Sequence, residues 1–273
     1  MSWLSEFVDV YNQNEKNLGK TNYRVYHLKK DVEAKKAFQM LPISHIFFNC
    51  QLQIDLKMDG SFAGASVVDD QRTIVPATID SSTRSSNIAP NPIDDNLQYV
   101  ARDFSDWSGE EKFAEFHNKY LKQLKDYLDF LEDYGDQDVY QTIRAIFRYV
   151  SEGDIIKDLQ ANKIFGDADN KKAVAKKVVR FNVRNSENIK RFEDRRFFDA
   201  WIRYYQQVLK ASASCGELSV GTDYITGAQK VILTNKHPKG ILDNDVKAKL
   251  ISANDSTNFT FKGRFLTADE AAT

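Results

Sequence analysis

The clearest hydrophobic rhythm in the chain runs from Phe113 to Tyr134. Phe113, Phe116, Tyr120, Leu121, Leu124, Tyr127, Leu128, Leu131 and Tyr134 recur at i, i+3, i+4 spacing, the period of one helical face. Ser108 and Glu111 have the spacing of a capping box, and Gly135 supplies a stop, so the pattern predicts one long amphipathic helix. Its aromatic stripe reads as core rather than as a platform for stacking bases. Shorter stretches with the same period predict helices at 3–11, 138–150, 154–162 and 192–209.

Elsewhere the period shortens to two. Residues 23–27 alternate as a strand, and 45–56 is a β-rich run joined through Asp59-Gly60 to a second run at 61–68, a strong hairpin signal. Residues 71–78 add another candidate strand, with Pro76 placing it at an edge or near its end. The segment 178–184 alternates so that Arg180, Asn182 and Arg184 share one face and Val179, Phe181 and Val183 the other, predicting one basic side and one apolar side. Short strands are expected at 224–227 and 231–234, and another pair at 250–252 and 259–261. Between the early strands and the long helix, 79–96 is rich in Ser, Asn, Pro and Asp. A loop of that length inside a compact unit is usually functional or disordered.

This order predicts an α+β fold rather than a βαβ alternation. A β-rich N-terminal part with hairpins (1–106) carries the polar loop 79–96. A central helical region (107–170) holds the long amphipathic helix, and a mixed basic C-terminal part (171–273) ends in a second polar loop, 236–264.

Composition adds limits. The 273 residues are 28% charged and 42% hydrophobic, as in an ordinary soluble protein with ample core. No uncharged apolar run approaches bilayer length and the start lacks a signal-peptide pattern, so the expected location is the cytoplasm, without membrane contact. Cys50 and Cys215 are far apart and without ligand-spaced partners, which makes them free thiols; no metal or other cofactor is expected. The net charge of −1 argues against a non-specific DNA binder, which is usually basic overall. The charge is unevenly spread: 94–158 carries about twice as many acids as bases, and 171–210 about three times as many bases as acids. Lys176, Lys177, Arg180 and Arg184 are therefore a candidate nucleic-acid-facing surface; a solvated helix face is the bland alternative for the lysines.

The last forty residues combine Lys236, Lys239, Lys249, Lys262 and Arg264 with Ser252, Asn254, Ser256, Thr257 and Asn258. Cations neutralise phosphate, while hydroxyls and amides fix register on a nucleic acid and reach base edges. The order of residues is more specific than the composition. Thr226-Gly227, His237-Pro238-Lys239, the block from Ala248 to Asp255 and Phe261-Lys-Gly-Arg-Phe265 follow one another, and upstream stands Arg84-Ser-Ser-Asn-Ile-Ala-Pro-Asn91 with Asp95-Asn96. In these blocks the chain resembles the N-terminal half of the large subunit of the type I-C CRISPR Cascade complex, the Cas-eight family of the Dvulg subtype. Asn87 and Asn258 depart from the family pattern, standing where glycine is expected.

The resemblance implies a non-enzymatic subunit of a CRISPR RNA-guided surveillance complex in antiviral defence. Such a subunit recognises the protospacer-adjacent motif (PAM) in double-stranded target DNA and assists R-loop initiation, leaving the rest of the target to base pairing. Its implied partners are the crRNA-bearing Cascade backbone subunits, the subunit that binds the crRNA 5′ handle, and a recruited helicase-nuclease. The expected DNA contacts are Arg84, Ser85, Ser86 and Asn87 in the first loop and Lys236, Lys239, Asn254, Asn258, Lys262 and Arg264 in the second. The family pattern continues into a helical C-terminal part beyond Thr273, so either an N-terminal portion or a natural short form is expected.

Two other classes stay open on the residues alone. A metal-dependent nuclease would need Asp55, Asp59, Asp69 and Asp70 to converge on a cation, although Asp59 is already explained by its turn. A structural adaptor would act through the aromatic stripes and the acidic helical region. Walker, dinucleotide-binding, Gly-x-Ser-x-Gly and His-Glu-x-x-His motifs are absent. His27, His45, His117 and His237 lie on unrelated elements; His117 reads as a packing or surface residue, and His237 as a phosphate contact or a turn residue.

Overall fold

A computed structural model describes residues 3–28, 32–84, 87–184, 190–218, 220–222, 227–232 and 238–241. Helix α1 (Trp3–Gln13) leads to strands β1 (Thr21–Leu28) and β2 (Val32–Gln39), then β3 (His45–Leu56) and β4 (Phe62–Pro76). Short helix α2 (Ile79–Thr83), strand β5 (Asp95–Asn96) and short helices α3 (Leu97–Val100) and α4 (Phe104–Ser108) precede the long α5 (Lys112–Glu132). Helices α6 (Gln137–Glu152), α7 (Ile155–Ala161) and α8 (Lys171–Ala175) lead to β6 (Val178–Val183). A 3-10 turn at Arg191–Glu193 opens α9 (Arg195–Ser214), and β7 (Val220–Gly221) and β8 (Val231–Ile232) follow. The fold is α+β. Contacts divide it into a unit of residues 44–204 and a second unit of 1–43 with 205–273.

The first of these is built on a mixed sheet of order β4-β3-β6-β5. β3 pairs antiparallel with β4 and parallel with β6, and β6 pairs antiparallel with β5. Parallel neighbours need a long crossover, and α2 to α8 lie between β3 and β6 in the chain. Alternation along β3 buries Cys50, Leu52, Ile54 and Leu56 completely. At the hairpin turn Gly60 has φ +83°, and a Cβ there would lie 2.9 Å from the Ala145 carbonyl oxygen and 3.1 Å from Arg148 Cβ. Arg148 Nη1 donates to the Asp59 carbonyl at 3.1 Å, fixing the turn to α6.

On α5 most of the predicted stripe faces inward: Phe113, Tyr120, Leu124, Tyr127, Leu128 and Leu131 are buried, with His117 beside them, while Phe116, Leu121 and Tyr134 are half-buried. Gly135 at φ +93° turns the chain, and the Asp136 carboxylate accepts from Asp138 N and Val139 N to cap α6. α9 closes this core with Trp201, whose ring meets Tyr127 edge-on at 5.1 Å while its Nε1 donates to the Ser44 carbonyl at 3.1 Å. A longer-range cap comes from Asp103, which accepts from Ile156 N and Lys157 N at the start of α7.

The structure corrects several expectations. Ser108 and Glu111 form no capping box: Ser108 ends α4, Gly109 at φ +76° breaks the helix, and α5 starts after Glu111 with no side-chain cap bond. The two strands expected at 61–68 and 71–78 are one, β4, carried past an irregularity opposite Cys50 and Leu52. The segment 79–96 is not wholly loop, since it holds α2 and β5. The strand 178–184 does not have an open basic side. β6 lies between β3 and β5, and Arg180 is buried with its apolar neighbours. The expected strands at 250–252 and 259–261 lie outside the described residues.

In the other unit, β1 and β2 pair antiparallel from Thr21↔Gln39 to Leu28↔Val32. β2 was not predicted, because Glu, Ala and Lys dominate its sequence and are depleted in strands. The hairpin base is tied by Gly19 N to the Met40 carbonyl at 3.0 Å and by Gln39 Nε2 to the Gly19 carbonyl at 3.1 Å. Tyr11 Oη donates to the Leu41 carbonyl at 3.1 Å, anchoring α1. β7 and β8 pair through Val220↔Ile232 and Gly221↔Val231.

Candidate nucleic-acid interface

Of the first predicted loop, Arg84 and Asn87 are described; Ser85 and Ser86 lie outside the described residues. Arg84 turns inward. Its Nη1 and Nη2 donate to the two oxygens of Asp95 at 2.6 and 2.5 Å, and Nη1 also reaches the Ala89 carbonyl at 3.0 Å. The guanidinium lies 4.8 Å from the centre of the Tyr99 ring. Burial opposes its charge most strongly, but the Asp95 carboxylate and Tyr99 together outweigh it and raise its pKa. Asp95, fully buried, also accepts from Asn91 N and Asn96 N, both at 2.7 Å. Four hydrogen bonds thus hold one carboxylate, two from Arg84 and two from the chain that returns after the loop. The chain between is pinned at both ends and presents Asn87 to solvent.

The clamp stands next to the first pair of predicted lysines. β5 pairs Asp95 with Val179 and Asn96 with Val178, and Leu97 N donates to the Lys177 carbonyl at 2.9 Å. Lys176 is exposed and Lys177 half-buried at the turn between α8 and β6. Loop 84–95 and the 176–177 turn are therefore neighbours along the β5 edge of the sheet.

The other half of the expected basic surface is not there. Arg180, 3% exposed, donates to Gln53 Oε1 from Nε and Nη2 and to Thr73 Oγ1 from Nη1, and stacks 4.5 Å from the Phe192 ring centre. Burial pulls its pKa down. Arg184 is exposed, but it lies at the far end of β6 and faces Asp55 at 3.6 Å. A six-residue strand separates Lys177 from Arg184 by roughly 20 Å.

Of the second predicted loop, Lys239 is described, and it is half-buried. Lys236, Asn254, Asn258, Lys262 and Arg264 lie outside the described residues.

Of the carboxylates considered for nuclease chemistry, Asp55 and Asp59 are occupied locally, and the side chains of Asp69 and Asp70 lie outside what is described. Asp55 accepts from Gln53 Nε2 at 3.0 Å and Asn182 Nδ2 at 2.7 Å. Exposed Asp59 caps its own turn through Ser61, whose side-chain and backbone hydrogen bonds lower its pKa. Among the described residues no three His, Cys, Asp or Glu side chains are grouped to hold a metal ion. A cavity of about 390 Å³ beside this turn is lined by Asp59, Glu152, Asp154 and Asp158 with Arg148. That charge is the wrong sign for a phosphate backbone.

Sequence reasoning missed Asp94 as an organising residue. It is fully buried, accepts from Phe181 N at 3.0 Å and holds both oxygens against Arg191 Nη2 at 2.7 and 2.5 Å. The available signal was a pair of acids in an apolar setting, Ile93-Asp-Asp-Asn-Leu97. Buried carboxylates are almost always paired.

Among the described residues no helix is long and apolar enough to cross a membrane. A comparison with protein-family models matches residues 23–273 to the family described as CRISPR-associated protein (Cas_Csd1). No curated protein matches the chain.

Proposed function

Because the chain belongs to the Cas_Csd1 family of CRISPR-associated proteins, we propose that it acts as the DNA-recognising large subunit of a type I-C Cascade surveillance complex. In this reading it is not an enzyme. It reads the PAM in duplex DNA, helps to begin strand separation, and leaves the remaining sequence to guide pairing and cleavage to a recruited helicase-nuclease. It packs against the crRNA-bearing backbone subunits and the subunit that holds the crRNA 5′ handle.

The observation that carries this reading is the clamp of Arg84 on buried Asp95, beside Lys176 and Lys177. A loop that must place amides and hydroxyls against base edges gains from rigid ends, since ordering it on binding would cost affinity. Arg84 then serves as a positioning residue. Ser85, Ser86 and Asn87 are the base-edge candidates, and Lys176 and Lys177 hold phosphate. Lys236, Lys239, Lys262 and Arg264 supply further phosphate contacts, with Asn254 and Asn258 as the second base-reading pair.

The test is duplex binding by the guide-loaded complex, with and without this chain, on targets whose flanking trinucleotide is randomised, at two salt concentrations. Enrichment of one short motif only with the chain present, lost on Ser86→Ala, Asn87→Ala or Asn254→Ala, is the expected result. Equal binding of all flanks at both salt concentrations would overturn the reading.

A further inference from the structure

Asp95 grips the edge of the Arg84 guanidinium, and an aromatic ring meets its face. Tyr99, 3% exposed on α3, stands four residues after Asp95, and its ring centre lies 4.8 Å from the guanidinium carbon. The two contacts do different work. Parallel N–H···O bonds to one carboxylate fix the direction of the fork, but a planar group held only by its edge can swing about that edge. A ring against the face stops the swing, and the attraction between a cation and an aromatic face is stronger away from water.

Three further contacts make the ring a fixed object. Phe116 of α5 stacks on it at 5.0 Å with 29° between the planes. The Tyr99 carbonyl accepts from His117 Nδ1 at 3.0 Å, so the next residue along α5 holds its backbone. The Ala89 backbone lies against its hydroxyl, and the Ala89 carbonyl also accepts from Arg84 Nη1 at 3.0 Å. Tyr99 therefore meets the loop at Arg84 and again at Ala89, which bracket Ser85, Ser86 and Asn87 in the sequence, while its other contacts are to the long helix.

We infer that Tyr99 is a positioning residue for the duplex-reading loop: it touches no DNA itself, and it sets motif selectivity by holding Arg84 and Ala89 against α5. The inference rests on the proposed reading of duplex by this loop and adds the residue that carries the rigidity of the helical core into it. What position 99 must supply is an aromatic face. Losing the face loosens the base-edge candidates and leaves the phosphate contacts of Lys176 and Lys177 in place.

The experiment pairs two readouts on Tyr99→Leu and Tyr99→Phe. In the guide-loaded complex, the ratio of binding between the selected flank and a randomised one is expected to fall about five- to a hundred-fold in Tyr99→Leu, the discrimination of one base-edge contact. The salt slope should stay the same, because no phosphate contact is lost. Tyr99→Phe keeps the ring and most of the ratio. In the chain alone, the amides of Asn91 and Asn96, which donate to Asp95, should lose protection from hydrogen exchange in Tyr99→Leu and keep it in Tyr99→Phe. Gly60→Ala, a destabilised variant at the opposite end of β6 from β5, controls for stability alone and should keep the flank ratio. If Tyr99→Leu does not fold, Tyr99→Met fills much of the same volume with a flexible chain and no ring face. A parental flank ratio in Tyr99→Leu, a loss as deep in Tyr99→Phe or Gly60→Ala, or an equal loss of affinity on every flank would overturn the inference. A parent complex that selects no flank refutes the proposed function instead, and amide exchange then still decides whether Tyr99 holds the loop.

Discussion

Asp94 and Asp95 are consecutive, both fully buried, and each holds a different arginine: Asp94 binds Arg191 and Asp95 binds Arg84. Asp95 opens β5 and Asp94 stands in the bend just before it. One carboxylate ties this point to the turn that opens α9, and the next ties it to the start of the 84–95 loop. Two charges and their partners leave water together at this point. Such pairs add little net stability over an apolar core, but each breaks at high cost when one member is removed.

Asp95→Ala is expected to lower unfolding free energy by about 3–5 kcal/mol, because it strands the Arg84 guanidinium in a buried site. Arg84→Lys should lose part of that amount, since an ammonium cannot make the two-pronged contact. The double variant Arg84→Met, Asp95→Leu should be more stable than Asp95→Ala alone. Urea unfolding of the three measures this. A parental midpoint for Arg84→Lys would show that the guanidinium does not hold the loop.

Thiol chemistry separates the two cysteines. Cys50 is completely buried on β3, where burial first and the Asp94 charge second push its pKa up to about 12. Cys215 is exposed. The thiolate is the reactive form. One thiol per chain should therefore react with an aromatic disulfide reagent at pH 8 in the native protein, and two in guanidinium chloride. Two fast thiols in the native protein would place Cys50 at the surface.

The elements legible in the sequence were those whose signal is local. The stripe of α5 is a period, and the β3–β4 turn is a dipeptide. β2 was hidden because Val-Glu-Ala-Lys-Lys-Ala-Phe-Gln has a helix-former's composition and becomes a strand only through its partner β1. Arg180 was misplaced because alternation gives the two faces of a strand but not what covers them. A strand between two neighbours is commonly covered on both. Arg84 was legible as important, but its partner stands eleven residues away, and nothing in the local pattern tells an inward arginine from an outward one. The resemblance located the loop; only the geometry shows that Arg84 turns inward onto Asp95 while Asn87 faces solvent.

Gly60 serves two demands, and substitution can divide them. Gly60→Ala places a Cβ at φ +83° and 2.9 Å from the Ala145 carbonyl oxygen. The expected cost is about 2–4 kcal/mol from left-handed strain and overpacking together. Gly60→Asn tolerates the backbone angle but keeps the collision, so it should recover only part of the loss. Equal stability of Asn and glycine at this position would mean that the turn moves away from α6 at no cost.

His117 gives the fold an acid-sensitive point. It is buried on α5, its Nδ1 donates to the Tyr99 carbonyl at 3.0 Å, and its Nε2 is buried with no partner among the described residues. Burial, with Arg102 adding to it, holds the imidazole below its ordinary 6.5, against the pull of the Tyr99 hydrogen bond. On acidification the unfolded chain therefore takes up this proton before the folded one does. The stabilising contribution is complete above 6.5 and is lost as pH falls through the lower folded value. His117→Asn offers Nδ2 to the same carbonyl but does not titrate. The parent should lose more stability than the variant between pH 7 and pH 5, so the gap between their urea midpoints should narrow with acid. The rest of the protein cancels in that comparison, including Asp103, whose burial-raised pKa makes its own contribution fall as pH rises. A gap that stays constant across the range would mean that His117 titrates alike in the folded and unfolded chains, which its burial and orphaned Nε2 do not allow.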